Sequence, residues 1–215
     1  MNAEYTIKRL LCPRCARAEK TCICHFVVDL SPLVEVLILQ HPLELNQVKG
    51  SAMLLHLSLN NSQLHVGESF DVAALSEVLY ASGKHPVLLY PEPNDGGRGD
   101  ENAESILSEK LLAAPENLRL IVLDGTWRKS RKMLYLNPLL QSLPRLSLHN
   151  MPASHYHIRK AHAPDQLSTL EASCYALMEL ENNKEKFSPL LDAFDGFIAQ
   201  QMALCEKHKN KLSTS

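Results

Sequence analysis

The sequence predicts an α/β domain built on a mostly parallel sheet with helices on its faces, preceded by a small cysteine-rich knuckle. Three observations carry that prediction. Apolar, β-branched runs recur at 33–40 (LVEVLILQ), 86–90 (PVLLY) and 118–124 (LRLIVLD), each bounded by turn residues. Being mostly apolar rather than alternating, they match strands covered on both faces. Helix-like stretches lie between them, the alternation that parallel sheets require. Four of the six cysteines fall within residues 12–24.

Two weaker strands, 63–66 and 145–148, complete the expected sheet. Helices are predicted at 71–81, with Asp71 as N-cap, at 102–113 and at 126–134. Ser168-Thr169-Leu170-Glu171 has the S/T-x-x-E form of a capping box and opens a helix reaching about residue 181. A last helix is expected over 188–209, and the glycine-rich acidic stretch 92–101 (EPNDGGRGDE) reads as a loop. The expected division is a knuckle over 1–28 and one larger domain over 29–215.

At 215 residues and 45% hydrophobic content the chain can bury one substantial core. It contains no apolar run long enough to span a bilayer, and its first ten residues lack a signal-like apolar stretch, so no membrane association and a cytoplasmic location are expected. No sequence feature calls for an obligate protein partner. The net charge of -2 excludes a uniformly basic nucleic-acid binder, but the charge is uneven. Between residues 119 and 160 lie Arg119, Arg128, Lys129, Arg131, Lys132, Arg145, Arg159 and Lys160, with Asp124 the only acid. That pattern suits a phosphate-binding face better than a solvated helix surface, where acids would be interspersed.

Cys12, Cys15, Cys22 and Cys24 supply four soft ligands, enough to close a tetrahedral zinc site of structural type; an iron–sulfur cluster is the rival. Arg14 and Arg17 inside the knuckle, with Lys8, Arg9 and Lys20 beside it, add a second basic surface suited to an RNA backbone. Cys174 and Cys205 read as packed thiols. His149, His155, His157 and His162 have neither the acidic neighbours nor the spacing of a catalytic metal site.

The most informative segment is 121–133 (IVLDGTWRKSRKM): a buried strand delivers Asp124 to its carboxyl end, Gly125 permits a tight turn, and Thr126 starts a helix covered in cations. Ligands of open α/β sheets bind just beyond such strand ends. The plainer alternative makes Asp124 an N-cap and Trp127, the only tryptophan, a core anchor.

Here the sequence closely resembles the DTW-domain family, the tRNA-uridine aminocarboxypropyltransferases. The resemblance covers nearly the whole chain: the cysteine knuckle, Leu39-Gln40-His41-Pro42-Leu43-Glu44, Leu89-Tyr90-Pro91, the Asp124-Gly125-Thr126-Trp127 signature, and Tyr156-His157-Ile158-Arg159-Lys160 leading to Leu167-Ser168-Thr169-Leu170-Glu171-Ala172. It departs at 46–51 (NQVKGS), where many relatives look more like an asparagine-threonine stretch with arginine. The resemblance implies a SPOUT-like α/β fold with a C-terminal trefoil knot, and S-adenosylmethionine held by the loops around 89–92, 123–126 and 159–169. Leu89, Tyr90, Pro91, Leu123, Gly125, Arg159, Ser168 and Thr169 are the positions so implied.

The implied reaction is transfer of a 3-amino-3-carboxypropyl group from S-adenosylmethionine to uridine N3 in tRNA. Because that nitrogen is protonated at neutral pH, Asp124 is the candidate proton acceptor. Thr126 and Trp127 are assigned to holding base or cofactor, Trp127 by stacking, and Arg128, Lys129, Arg131 and Lys132 to phosphates, with Arg14 and Arg17 contributing from the knuckle. Arg159 suits the cofactor carboxylate bidentately. For Ser168 and Glu171, helix capping competes with a functional role. Two other functions stay open: a SPOUT-type RNA methyltransferase using the same cofactor, and a non-enzymatic zinc-knuckle RNA-binding protein.

Overall fold

A computed structural model of the chain describes residues 10–45, 47–92, 112–149 and 167–212, with side chains described as far as residue 206. Five strands form one sheet in the order β2-β1-β4-β3-β5, and every pairing is parallel. They are β1 (Glu35–Gln40), β2 (Ser62–Val66), β3 (His85–Leu89), β4 (Leu118–Asp124) and β5 (Arg145–Leu146). All seven residues of β4 are buried, Arg119 and Asp124 included, as the position of the central strand requires.

The period-two alternation of side chains builds a core on each face. Val36 and Ile38 of β1 and Leu120 and Val122 of β4 point to the first face, which is covered by α1 (Ala52–Ser58), α5 (Thr169–Leu180) and α6 (Lys184–Leu212). Leu37 and Leu39 with Ile121 and Leu123 point to the second, beneath α2 (Val72–Tyr80), α3 (Trp127–Leu136) and α4 (Pro138–Gln141). Phe187, Phe194 and Phe197 of α6 are almost wholly buried in the first core. Cys15 and Ile23 of the knuckle belong to that same core. No helix of the described residues is long and apolar enough to cross a membrane.

Several expected elements lie where predicted. Asp71 caps α2 by accepting the Ala73 and Ala74 N–H groups at 3.0 Å, and Ser168 with Glu171 closes the capping box of α5. The expected strand at 145–148 is shortened to two residues, an edge pairing with β3 alone. Helix α1 has no counterpart in the sequence reading, because seven residues without a capping pattern give too few turns for a periodic signal. The last helix starts at Lys184, ahead of the expected residue 188 and with Pro189 inside it. Asn183 caps it by accepting the Lys186 N–H at 3.0 Å, and a proline this near the start removes little of the helix ladder. The predicted helix at 102–113 and the loop at 92–101 fall almost wholly outside the described residues.

At the amino end of the sheet a buried cation ties strands to helix. Arg119, 2% exposed, donates to Glu35 and to the carbonyl oxygens of Val78 and Leu79 at the end of α2. Burial alone would raise the Glu35 pKa, but the hydrogen bond and charge of Arg119, aided by Lys84, outweigh it and hold the carboxyl below its ordinary range. Arg119→Ala strands these acceptors and is expected to cost about 3–5 kcal/mol in denaturant unfolding near neutral pH. Since the folded-state pKa of Glu35 lies below its unfolded value, the pair's contribution is present above the ordinary carboxylate range and is lost as pH falls through the folded value. The gap between parent and variant should therefore narrow in acid.

Candidate functional site

Strands β1 and β4 are neighbours, yet β1 is followed by α1 on the first face and β4 by α3 on the second. Where successive connections part to opposite faces, a crevice opens beyond the carboxyl ends of the strands. Gln40 and Asp124, the last residues of those two strands, face each other in register at this point.

Asp124 is 6% exposed, and both of its carboxylate oxygens are held. Gln40 Nε2 donates to Oδ2 at 2.8 Å, and Thr169 Oγ1 donates to Oδ1 at 2.7 Å. The backbone carbonyl of Asp124 accepts the His41 N–H at 2.9 Å, which extends the ladder one step past the strands. Thr169 is the first residue of α5, held by the capping box: Ser168 Oγ accepts the Glu171 N–H and Glu171 Oε2 accepts the Ser168 N–H. Ser51, at the start of α1, accepts the Leu170 N–H at 3.3 Å. Three segments far apart in sequence thus meet at one carboxylate.

Gly125 lets the chain turn directly onto α3, where an added Cβ would meet Lys129 Cβ at 3.1 Å and His41 Cβ at 3.6 Å. Thr126, not Asp124, is the N-cap of α3, its hydroxyl oxygen accepting the Lys129 N–H. Trp127 is not a core anchor. It is 48% exposed and lies edge-on to Tyr90, with ring centroids 5.9 Å apart. Tyr90 also carries the Arg145 guanidinium over its ring, and Arg145 donates to the Pro91 carbonyl at 2.9 Å. Leu89 ends β3, adjacent to β4, and Tyr90 and Pro91 follow it, so these residues, Leu123 to Trp127, and Ser168 with Thr169 gather at one end of the sheet. Arg159 lies outside the described residues, as do His155, His157 and His162.

The cations of α3 divide into two pairs. Lys129 Nζ lies 2.7 Å from Glu44 Oε1, and Lys132 Nζ 2.9 Å from Glu68 Oε2. Arg128 and Arg131 are exposed and make no ion pair among the described residues. Glu68 also meets His41 Nε2 at 2.8 Å, while His41 Nδ1 accepts the Leu43 N–H, which assigns the ring proton to Nε2. Hydrogen bonds from Lys132 first and His41 second hold the Glu68 carboxyl below its usual range. Gln40, His41, Glu44, Ser51 and Glu68 are the residues that sequence reasoning gave no role. The available signal was the polar pair Gln40-His41 ending an apolar strand.

The knuckle forms a second constellation. One sulfur atom from each of Cys12, Cys15, Cys22 and Cys24 lies within 4.8 Å of all the others. A metal–sulfur bond of about 2.3 Å puts the corners of a tetrahedron about 3.8 Å apart; the Cys12–Cys24 and Cys15–Cys22 separations are 3.6 and 3.8 Å. The residues therefore fit a tetrahedral metal ion. Backbone hydrogen bonds from Cys15 and Arg14 lower the Cys12 pKa to about 6, whereas burial first, then its neighbouring thiols, pushes Cys24 up to about 12. Among the described residues no other group of three or more His, Cys, Asp or Glu is placed to hold a metal. Arg14 is exposed, while Arg17 donates to the carbonyl oxygens of Val48 and Gly50 and lies 5.2 Å from the Phe197 ring centroid.

Fold and site define a parallel α/β protein with a polar cluster at its switch point and a four-cysteine knuckle docked on its C-terminal helix. The chain belongs to the DTW-domain family, whose model, described as the DTW domain, matches residues 9–202. It is 31% identical to the tRNA-uridine aminocarboxypropyltransferase 2 of Macaca fascicularis over 100% of this chain and 74% of that protein. The Mus musculus protein of the same name is 30% identical over 85% of this chain, which spans 60% of that relative's length. The Drosophila melanogaster one is 26% identical over 86% of this chain and 72% of its own. No solved structure matches the chain.

Purified protein is expected to carry about one metal ion per chain. Replacing Cys15 or Cys24 by Ser should abolish that content in elemental analysis, and retention of a full equivalent would contradict the knuckle geometry.

Proposed function

We propose that the protein transfers the 3-amino-3-carboxypropyl group of S-adenosylmethionine to N3 of a uridine in tRNA, releasing 5'-methylthioadenosine. The observation that carries this reading is the shared carboxylate: Asp124 lies at the switch-point crevice, oriented by Gln40 and Thr169, in the signature segment of a family whose relatives bear that activity as their name. S-adenosylmethionine, when bound, supplies a carbon chain already activated by its sulfonium, so the protein's tasks are to place the two partners and manage one proton.

The residues suit those tasks. Asp124 accepts the proton of uridine N3. The hydrogen bonds from Gln40 and Thr169 fix which way the carboxylate faces, and orientation of this kind is worth much of a displacement barrier. The aliphatic Leu89 and Leu123, with Tyr90, Pro91 and Gly125, supply the donor's apolar surroundings, and Ser168 and Thr169 close it from α5. Arg159 pairs with the donor's carboxylate. The half-exposed Trp127, held on one edge by Tyr90, stacks on the base, and Thr126 sets its approach through the cap of α3. Arg128, Arg131 and Arg14 take phosphates directly, while Lys129 and Lys132 contribute positive potential already partly offset by Glu44 and Glu68.

Two structural statements belong to the same reading. The knuckle over residues 1–28 holds a structural zinc ion beside a catalytic unit over 29–215, its four sulfur ligands leaving no position for substrate. The fold is SPOUT-like with a C-terminal trefoil knot, as the family resemblance implies, and α5 begins beside the ends of the central strands, where Thr169 meets Asp124. Clustered thiols serving a metal suit a reducing, cytoplasmic compartment.

Asp124→Asn keeps the shape and removes the proton acceptor. Formation of aminocarboxypropyluridine on tRNA, followed by nucleoside mass spectrometry, is expected to fall at least about 100-fold. Parent-level activity would remove Asp124 from the chemistry. Release of S-adenosylhomocysteine in place of 5'-methylthioadenosine would make the enzyme a methyltransferase, and binding of RNA indifferent to the donor would make it a binding protein.

A further inference from the structure

Arg17 lies between the second and third cysteines of the knuckle, and the turn itself fixes its backbone: its carbonyl accepts the Cys12 N–H at 2.7 Å. Its side chain leaves the knuckle altogether. One guanidinium nitrogen donates to the Val48 carbonyl and another to the Gly50 carbonyl at 2.8 Å, while the plane lies over the Phe197 ring, 5.2 Å from its centroid. A planar fork with several donors can bridge two carbonyls while its face stacks on a ring, whereas an ammonium has neither the fixed fork nor a face to stack.

Those carbonyls belong to a wall of the site. Gly50 immediately precedes Ser51, which accepts the Leu170 N–H beside Thr169, the residue that donates to Asp124. At the other end of the same stretch, Glu44 binds Lys129 and His41 donates its backbone N–H to Asp124. Within it, hydrogen bonds from Gln47 N–H to Glu44 and from Gly50 N–H to Gln47 keep the backbone turned. The Arg17 hydrogen bonds to Val48 and Gly50 join this wall to the metal-binding turn.

We infer that Arg17 is a positioning residue that transmits the metal-held geometry of the knuckle to the site wall at 47–51, so that metal binding at the four cysteines and order at the donor site are linked through one side chain. Neither the metal nor Arg17 touches reacting atoms. The link as far as the wall stands on the contacts above; its extension to the donor rests on the function proposed for the site.

The test is amide hydrogen exchange on the full chain, metal-loaded and chelator-stripped, for the parent, Arg17→Ala and Arg17→Lys. In the loaded Arg17→Ala protein, with its metal content intact, the Gln47 and Gly50 amides are expected to exchange about 10-fold faster, while β4 amides stay protected. Arg17→Lys should show the same loosening, since it keeps the charge and loses the fork. Stripping metal should loosen those amides in the parent and add little in the variants, because the path is already cut. Unchanged protection in both loaded variants would overturn the inference, as would a full additional effect of stripping in them. Titration with S-adenosylmethionine separates the two levels: weakening of about 10-fold in Arg17→Ala extends the link to the donor. Parent-level affinity despite a loosened wall would overturn that extension. A parent protein that binds no donor would instead overturn the proposed function and leave the exchange result standing.

Discussion

One carboxylate shared between two donors organises this end of the molecule. Asp124 ends the central strand, and its oxygens are taken by an amide from the neighbouring strand end and a hydroxyl from the first residue of a helix that begins 45 residues later. A nearly buried charge is tolerated only when hydrogen-bonded, so β1, β4 and the start of α5 must assemble together for any of them to be satisfied there. The parallel register fixes the first contact and the capping box fixes the second. What results is a frame at the switch point, from which α3 leads with Trp127, paired with Tyr90, and its cations.

Local signals made much of this legible. The apolar run at 120–123 marks β4 because both of its faces are covered, and Asp71, Thr126 and Ser168 are the kinds of residue that satisfy open helix starts. Four clustered cysteines announced a ligand set through their spacing alone. Long-range pairing was not legible. The basic stretch looked nearly free of acids because Glu44 and Glu68 are supplied from segments more than sixty residues upstream of Lys129 and Lys132. Arg17 looked like an RNA contact for the same reason: nothing local shows that its guanidinium bridges two carbonyls thirty residues away. Helix α1 is too short to display a period, and Pro189 drew the start of α6 toward itself although Asn183 holds the cap.

The knuckle is tied into the domain rather than hung from it. Cys15 and Ile23 lie in the first core, Gln200 of α6 donates to the Cys22 carbonyl at 3.2 Å, and Phe26 packs so closely on Gly196 that an added Cβ would lie 2.8 Å from its ring. A metal in such a place acts on the stability of the helix layer covering one face of the sheet as well as on its own loop. Those contacts hold the knuckle to α6, whereas its hydrogen bonds to the stretch at 47–51 come from Arg17.

The proposed transfer requires Asp124 to face both the donor and the base at the carboxyl ends of β1 and β4. The most direct measurement is an experimental structure of the protein with S-adenosylmethionine or 5'-methylthioadenosine bound. The account requires the ligand beyond the carboxyl ends of β3 and β4, its sulfur side turned toward the Asp124 carboxylate, with Gln40 and Thr169 still holding it. A ligand seated at the amino end of the sheet, or against the knuckle with Asp124 remote from it, would contradict the account.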